Sequence, residues 1–198
     1  MIWFLLLVFL FALLMGIFQV PIWIMYGVLV LVLIYFLFRH PLLFGKDPKK
    51  MMTYLKKSKS PYMQFLYHLL QGDQSEAEQA LEKIRSKNSK RNAKLMLLME
   101  RKQFSEAKEL LQQMGAHKAK WYALCDIAIK EEDVEAFQQN KAKITDRFFL
   151  NMLEVDQAVF DGRREEAVAL LDHMIPSLRG LKIMTAFQYR KHILEGRV

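Results

Sequence analysis

Three patterns of hydrophobic and polar positions follow one another along the chain. From Met1 to Phe38 there is no charged side chain at all, and apolar residues stand on every face of the helices they would form. Water-facing helices are apolar on one stripe only, so this run predicts helices surrounded by lipid. Gln19, Val20 and Pro21 divide it into two spans, Met1–Phe18 and Ile22–Phe38. At 1.5 Å per residue the spans would be roughly 27 and 26 Å long, just enough for a hydrocarbon core of about 30 Å. Pro21 stands where a second helix would begin, a position that tolerates its missing N–H. The prediction is a transmembrane helical hairpin. No Lys or Arg precedes the apolar run, which argues against a cleaved signal peptide.

Beyond Pro61 the pattern becomes one-sided. No alternation of strand type occurs and Gly and Pro are few, so this part is expected to be all-helical. The pair Glu-Ala recurs at Ala77, Ala107, Ala136 and Ala167, with spacings of 30, 29 and 31 residues. Polar turns precede each pair, with Gly at Gly72 and Gly162. Ser75 with Glu78 has the form of a capping box. Apolar residues then follow at helical spacing, as in Ala107, Leu110, Leu111 and Met114, or Ala167, Leu170, Leu171 and Met174. The helices before the turns are more apolar still, as in Leu95–Met99, Trp121–Ile129 and Phe148–Phe160. A helix from about Leu181 to Leu194 has no partner after it and is expected to cap the stack.

The expected fold class is therefore all-α. It comprises a transmembrane hairpin (1–38), a basic juxtamembrane segment (39–60) and an α-solenoid of about four helical hairpins with a C-terminal capping helix (61–198). The hairpin part resembles the tetratricopeptide-repeat (TPR) family. Gly72-Asp73 with Glu76-Ala77 and Leu81, and Gly162 with Glu166-Ala167 and Leu171, match that family's turn Gly, second-helix Ala and following large residue. Phe104-Ser105-Glu106-Ala107 matches the same turn. The unit is about 30 residues against about 34 in the family, its first-helix Trp, Leu and Gly have no counterparts in register, and Asn140 stands where a large apolar residue is expected. The resemblance implies a helical-hairpin solenoid over about residues 61 to 180, with a concave groove lined by first helices. Its groove candidates are Tyr62, Gln64, His68, Arg91, Lys94 and Tyr122.

Charge refines the picture. The chain carries a net +8, but residues 39–60 hold seven of its cations, Arg39, Lys46, Lys49, Lys50, Lys56, Lys57 and Lys59, against Asp47 alone. Such a collar after a span marks the cytoplasmic side, so a location in the cell membrane of a bacterial-type cell is expected, with both termini cytoplasmic. Asp47 and Pro48 have the form of an N-cap and first helical residue. The helix they open would set Met51, Met52 and Leu55 on one side amid lysines, which suits either contact with anionic lipid head groups or a plain linker. Basic residues confined beside the apolar run, rather than spread over a folded face with stacking aromatics, argue against nucleic acid.

Nothing in the chain has the form of a catalytic set. Cys125 is the only cysteine, and its apolar neighbours make it a core residue. His40, His68, His117, His173 and His192 lack ligand spacing, and Glu131, Glu132, Asp133 and Glu135 sit where a helix N-terminus attracts negative charge. No phosphate loop or nucleophile elbow occurs, so no cofactor or metal is expected. The methionines on apolar faces are expected to fill core. The expected function is that of a membrane-anchored adaptor or scaffold binding a protein or peptide. The alternative is an accessory or regulatory subunit of a membrane enzyme or transporter complex.

Overall fold

The computed structural model describes residues 21–197, and among these every regular element is helical. The first element is α1 (Ile22–Arg39), followed by the short α2 (Pro41–Phe44) and by α3 (Pro48–Lys57). Four hairpins come next: α4 (Pro61–Gln71) with α5 (Gln74–Glu82), α6 (Lys87–Glu100) with α7 (Phe104–Gln112), α8 (Lys118–Lys130) with α9 (Val134–Lys141), and α10 (Arg147–Phe160) with α11 (Arg164–Met174). A short 3-10 turn (Ile175–Ser177) leads to α12 (Leu181–Leu194).

Among the described residues no helix is long and apolar enough to cross a membrane. The expected cell-membrane location with cytoplasmic termini is corrected accordingly, and the transmembrane hairpin is unsupported. The second expected span is α1, opened after Pro21 and closed at Arg39. Its 18 residues rise about 27 Å, close to the rise expected of that span and at the short end of what a hydrocarbon core of about 30 Å demands. The first expected span, Met1–Phe18, lies outside the described residues. The collar helix also differs from its interfacial form. Asp47 caps α3 as expected, accepting from the Lys49 and Lys50 amides at 2.9 and 3.2 Å. Its apolar side, however, faces the hairpins, where Met51 and Leu55 are fully buried with Phe65 and Leu69. Lys46, Lys49, Lys50, Lys56, Lys57 and Lys59 point to solvent.

The hairpins keep a strict register. Each turns through one residue in the left-handed region, Gly72, Lys102, Glu132 and Gly162, each 30 positions after the one before. Equivalent core positions follow the same spacing: Phe65, Leu95, Cys125 and Val155 in the first helices, and Ile84, Met114, Ile144 and Met174 after the second, all buried. The third unit is where the sequence pattern misleads. The position matching the fully buried Ala77, Ala107 and Ala167 is Phe137, not Ala136, and Lys141 rather than Asn140 stands in the place of Leu81, Leu111 and Leu171. A ring replaces the small residue that lets two helices close, so α9 contributes no fully buried side chain. Phe137 packs instead over Cys125, Ile129, Ile144 and Leu153.

Caps and ion pairs repeat as well. Asp73 and Asp133, 60 positions apart, cap α5 and α9 by accepting from the Glu76 and Ala136 amides at 3.2 and 2.9 Å. The expected Ser75–Glu78 box does not form, because the helix starts earlier and Glu78 turns to the next unit, 2.7 Å from Arg101. Lys108 and Glu131 occupy the equivalent pair of positions one unit on, with the charges exchanged. Lys102 and Glu132 hold a left-handed conformation that costs side-chain-bearing residues roughly 1 to 2 kcal/mol. Lys102→Gly and Glu132→Gly are each expected to stabilise the fold by about 1 kcal/mol, readable as a raised urea midpoint at unchanged slope.

The last helix does more than cap α11. Ile183 and Met184 of α12 are buried in the core of α3, α4 and α5, whereas Ala186 and Ile193 are buried with α10 and α11. Gly180, just before α12, donates its N–H to Gly45 O at 2.8 Å, and Gln188 Nε2 donates to Leu70 O at 3.0 Å. The C-terminal helix thereby ties the last hairpin back to the first.

Candidate functional site

The first helices α4, α6, α8 and α10 face a common hollow that α12 borders on the far side. The cavity there has a volume of about 380 Å³. Leu69 and Leu70 of α4, Leu95, Met96 and Met99 of α6, and Met152 of α10 form apolar walls. Its polar part comes from Tyr122, Asp126 and Lys130 of α8, Asp156 of α10 and Gln188, Tyr189 and His192 of α12, with Glu100 at the end of α6. Met96, Asp126 and Asp156 are equivalent positions of successive units, so one stripe of the repeat supplies an apolar residue and then two carboxylates.

Asp156 is the centre of the polar part and is only 3 % exposed. Tyr122 donates its hydroxyl to Asp156 Oδ2 at 2.6 Å, and Tyr189 is a second hydrogen-bond donor to the same carboxylate. Burial raises the Asp156 carboxyl from its ordinary 3.8 to about 7, and the neighbouring Asp126 charge adds to the rise against the two tyrosines. Burial also raises Asp126, although Lys130 Nζ stands 3.4 Å from its Oδ1. The phenols of Tyr122 and Tyr189 are raised too, first by burial and then by the adjacent Asp156. Two carboxylates thus share one hollow with a single lysine between turns of one helix, and each resists ionising.

This has a consequence for stability. Between about pH 4 and pH 7 the folded chain keeps the Asp156 proton that the unfolded chain has lost, so the native state binds more protons. Its contribution is fully present below the ordinary carboxyl value and is lost as pH rises through about 7. Asp146 and Asp172 act oppositely, their carboxyls held low by Lys182 and Arg190 among others, and they cost stability only as pH falls below the ordinary range. The urea midpoint is expected to fall from pH 5 to pH 7.5, and Asp156→Asn should flatten that slope.

Of the residues expected in the groove, Tyr122 alone borders this cavity. Tyr62 stacks on Phe65 with ring centroids 6.4 Å apart. Gln64 donates from Nε2 to the carbonyls of Leu55, Lys56 and Ser58, at 3.3, 3.0 and 2.6 Å, and so closes the C-terminus of α3. His68 lies 3.8 Å from Asp73 at the hairpin turn, Arg91 donates to Gln113 O at 3.3 Å, and Lys94 faces solvent. Asp126, Asp156 and Tyr189 were not singled out by pattern. Their signal is present nonetheless: an Asp at the same register position of two consecutive apolar first helices, 30 positions apart. Cys125 is fully buried, and burial raises its thiol to about 11, as befits a core residue. Among the described residues no group of three His, Cys, Asp or Glu side chains could hold a metal ion. Compared with protein-family models, curated proteins and solved structures, the chain matches none.

Proposed function

We propose that this chain is a binding module rather than an enzyme: a TPR-like α-solenoid of about four hairpins that holds a protein or peptide partner against its first helices and so acts as an adaptor or scaffold. The observation that supports this most directly is the cavity bordered by four successive first helices and α12, with apolar walls and a few converging polar groups. Such a lining suits recognition, because groove residues of a repeat array can vary while the inter-helix core stays fixed. Phe65, Cys125 and Val155 belong to the core and Met96, Asp126 and Asp156 to the cavity, with Leu95 serving both.

Peptide-display selection on the full chain tests the proposal. Peptides should be enriched, compete with one another for one site, and lose at least tenfold in affinity with Met96→Lys, whose side chain is 37 % exposed. Failure to enrich any peptide, or enrichment indifferent to Met96→Lys, counts against it.

A further inference from the structure

We infer that the cavity takes a basic side chain, a lysine or an arginine, of the bound peptide. This deepens the binding-module proposal and rests on it for the peptide, although the cavity's choice of charge is measurable without one. The cavity locally inverts the sign of the chain's charge. The chain as a whole is strongly basic, at +8, yet the cavity is lined by Glu100, Asp126 and Asp156 against Lys130 as its only lysine or arginine. Lys130 is already engaged with Asp126 and lies over the Phe160 ring, 5.9 Å from its centroid.

Three classes of side chain could enter, and the lining distinguishes them. An acidic side chain would add a negative charge beside Asp126 and the buried Asp156 in a partly dry hollow, where repulsion is poorly screened, with the exposed Glu100 at its rim. An apolar side chain would suit Leu95, Met96, Met99 and Met152 but would desolvate the Asp126–Lys130 pair further without adding a donor to it. A lysine or arginine satisfies both halves. Its methylene stem lies along the apolar walls, as long basic side chains do, while its head meets the carboxylates. A divalent metal would be a different cation, but these carboxylates do not cluster closely enough to hold one.

The test uses the full chain with isotope-labelled methionine methyl groups and three soluble blocked amino acids: N-acetyl-lysine, N-acetyl-norleucine and N-acetyl-glutamate methylamides. The lysine probe should shift the Met96, Met99 and Met152 methyls saturably, at least tenfold more tightly than either other probe, and leave Met114 unmoved. Asp126→Asn and Asp156→Asn should each weaken it at least fivefold. Norleucine binding as tightly as lysine, or no saturable shift at the three cavity methyls, overturns the inference. Should Asp156→Asn lose the native spectrum, the probe comparison on the unaltered chain and the Asp126→Asn result decide. Display-selected peptides that bind at Met96 without enrichment of Lys or Arg would sink this inference and leave the binding module standing. A display that enriches nothing would do the reverse if the lysine probe still binds.

Discussion

Gly180→Ala is expected to lower the stability of the chain by about 3 kcal/mol or more and to detach the segment around Gly45 from the hairpins. Gly180 sits at φ 59° and ψ −140°, a region open in practice only to glycine, where other residues pay about 1 to 3 kcal/mol. Space is lacking as well. A Cβ there would lie 2.5 Å from the carbonyl oxygens of both Leu42 and Leu43, and backbone atoms cannot swing aside as a side-chain tip can. The Gly180 N–H also donates to Gly45 O, so moving to relieve the clash breaks the bond that joins the two regions. A urea titration gives the loss, and amide exchange at Gly180 should quicken by more than the global change. A midpoint within experimental scatter of the parent would show that this contact is not needed.

Phe65→Ala should cost about 3 to 5 kcal/mol, the usual range for emptying a fully buried aromatic site. Phe65 is completely shielded, packed among Met51, Leu55, Leu69, Ala77 and Met184 from four different helices. Its column provides internal controls. Leu95→Ala should cost about 2 to 5 kcal/mol, while Cys125→Ala removes a single sulfur and should cost least of the column. A contrasting substitution at Val134, 71 % exposed, should fall within about 0.5 kcal/mol of zero. Chemical denaturation of the four variants checks the order. If Cys125→Ala proved as costly as Phe65→Ala, the assignment of these residues to one structural column would fail.

Much of the helical plan could be seen in the order of residues. One-sided apolar stripes and recurrent Glu-Ala pairs mark the second helices, and Asp47-Pro48 marks the start of α3. What escaped notice has physical causes. Lys102 and Glu132 adopt the conformation that Gly advertises at Gly72 and Gly162, so two of the four turns are marked by polar residues alone and their left-handed residue is not. Ala136 imitates the small residue of the other units by chance of position, while Phe137 fills that place. The second expected span, Ile22–Phe38, is found as α1 (Ile22–Arg39), and Pro21 and Arg39 mark its ends. Met51 and Leu55 look like an interfacial face from spacing alone, because pattern shows that a stripe will be covered and not by what.

The cavity was hidden for a related reason. Asp126 and Asp156 fall on different helices, and Tyr189 lies 33 positions beyond Asp156. Only the 30-residue register brings the two carboxylates onto one stripe, and only the return of α12 brings the tyrosine to them. Tyr122 was within reach because the TPR resemblance places groove residues on first helices. Gln64 was equally plausible by that rule, but its amide is consumed by three carbonyls of the preceding helix.

The tie between Gly180 and Gly45 sets a limit on how this array can change over time. An open stack can gain or shed a unit at either end with little penalty, since each neighbour interface resembles the last. Here both ends are committed to one another, so duplicating or excising a 30-residue block would displace α12 from α3 and uncover both cores at once. The number of hairpins is thus coupled to the closure between α3 and α12, whereas side chains on the hollow's walls can be exchanged without disturbing it.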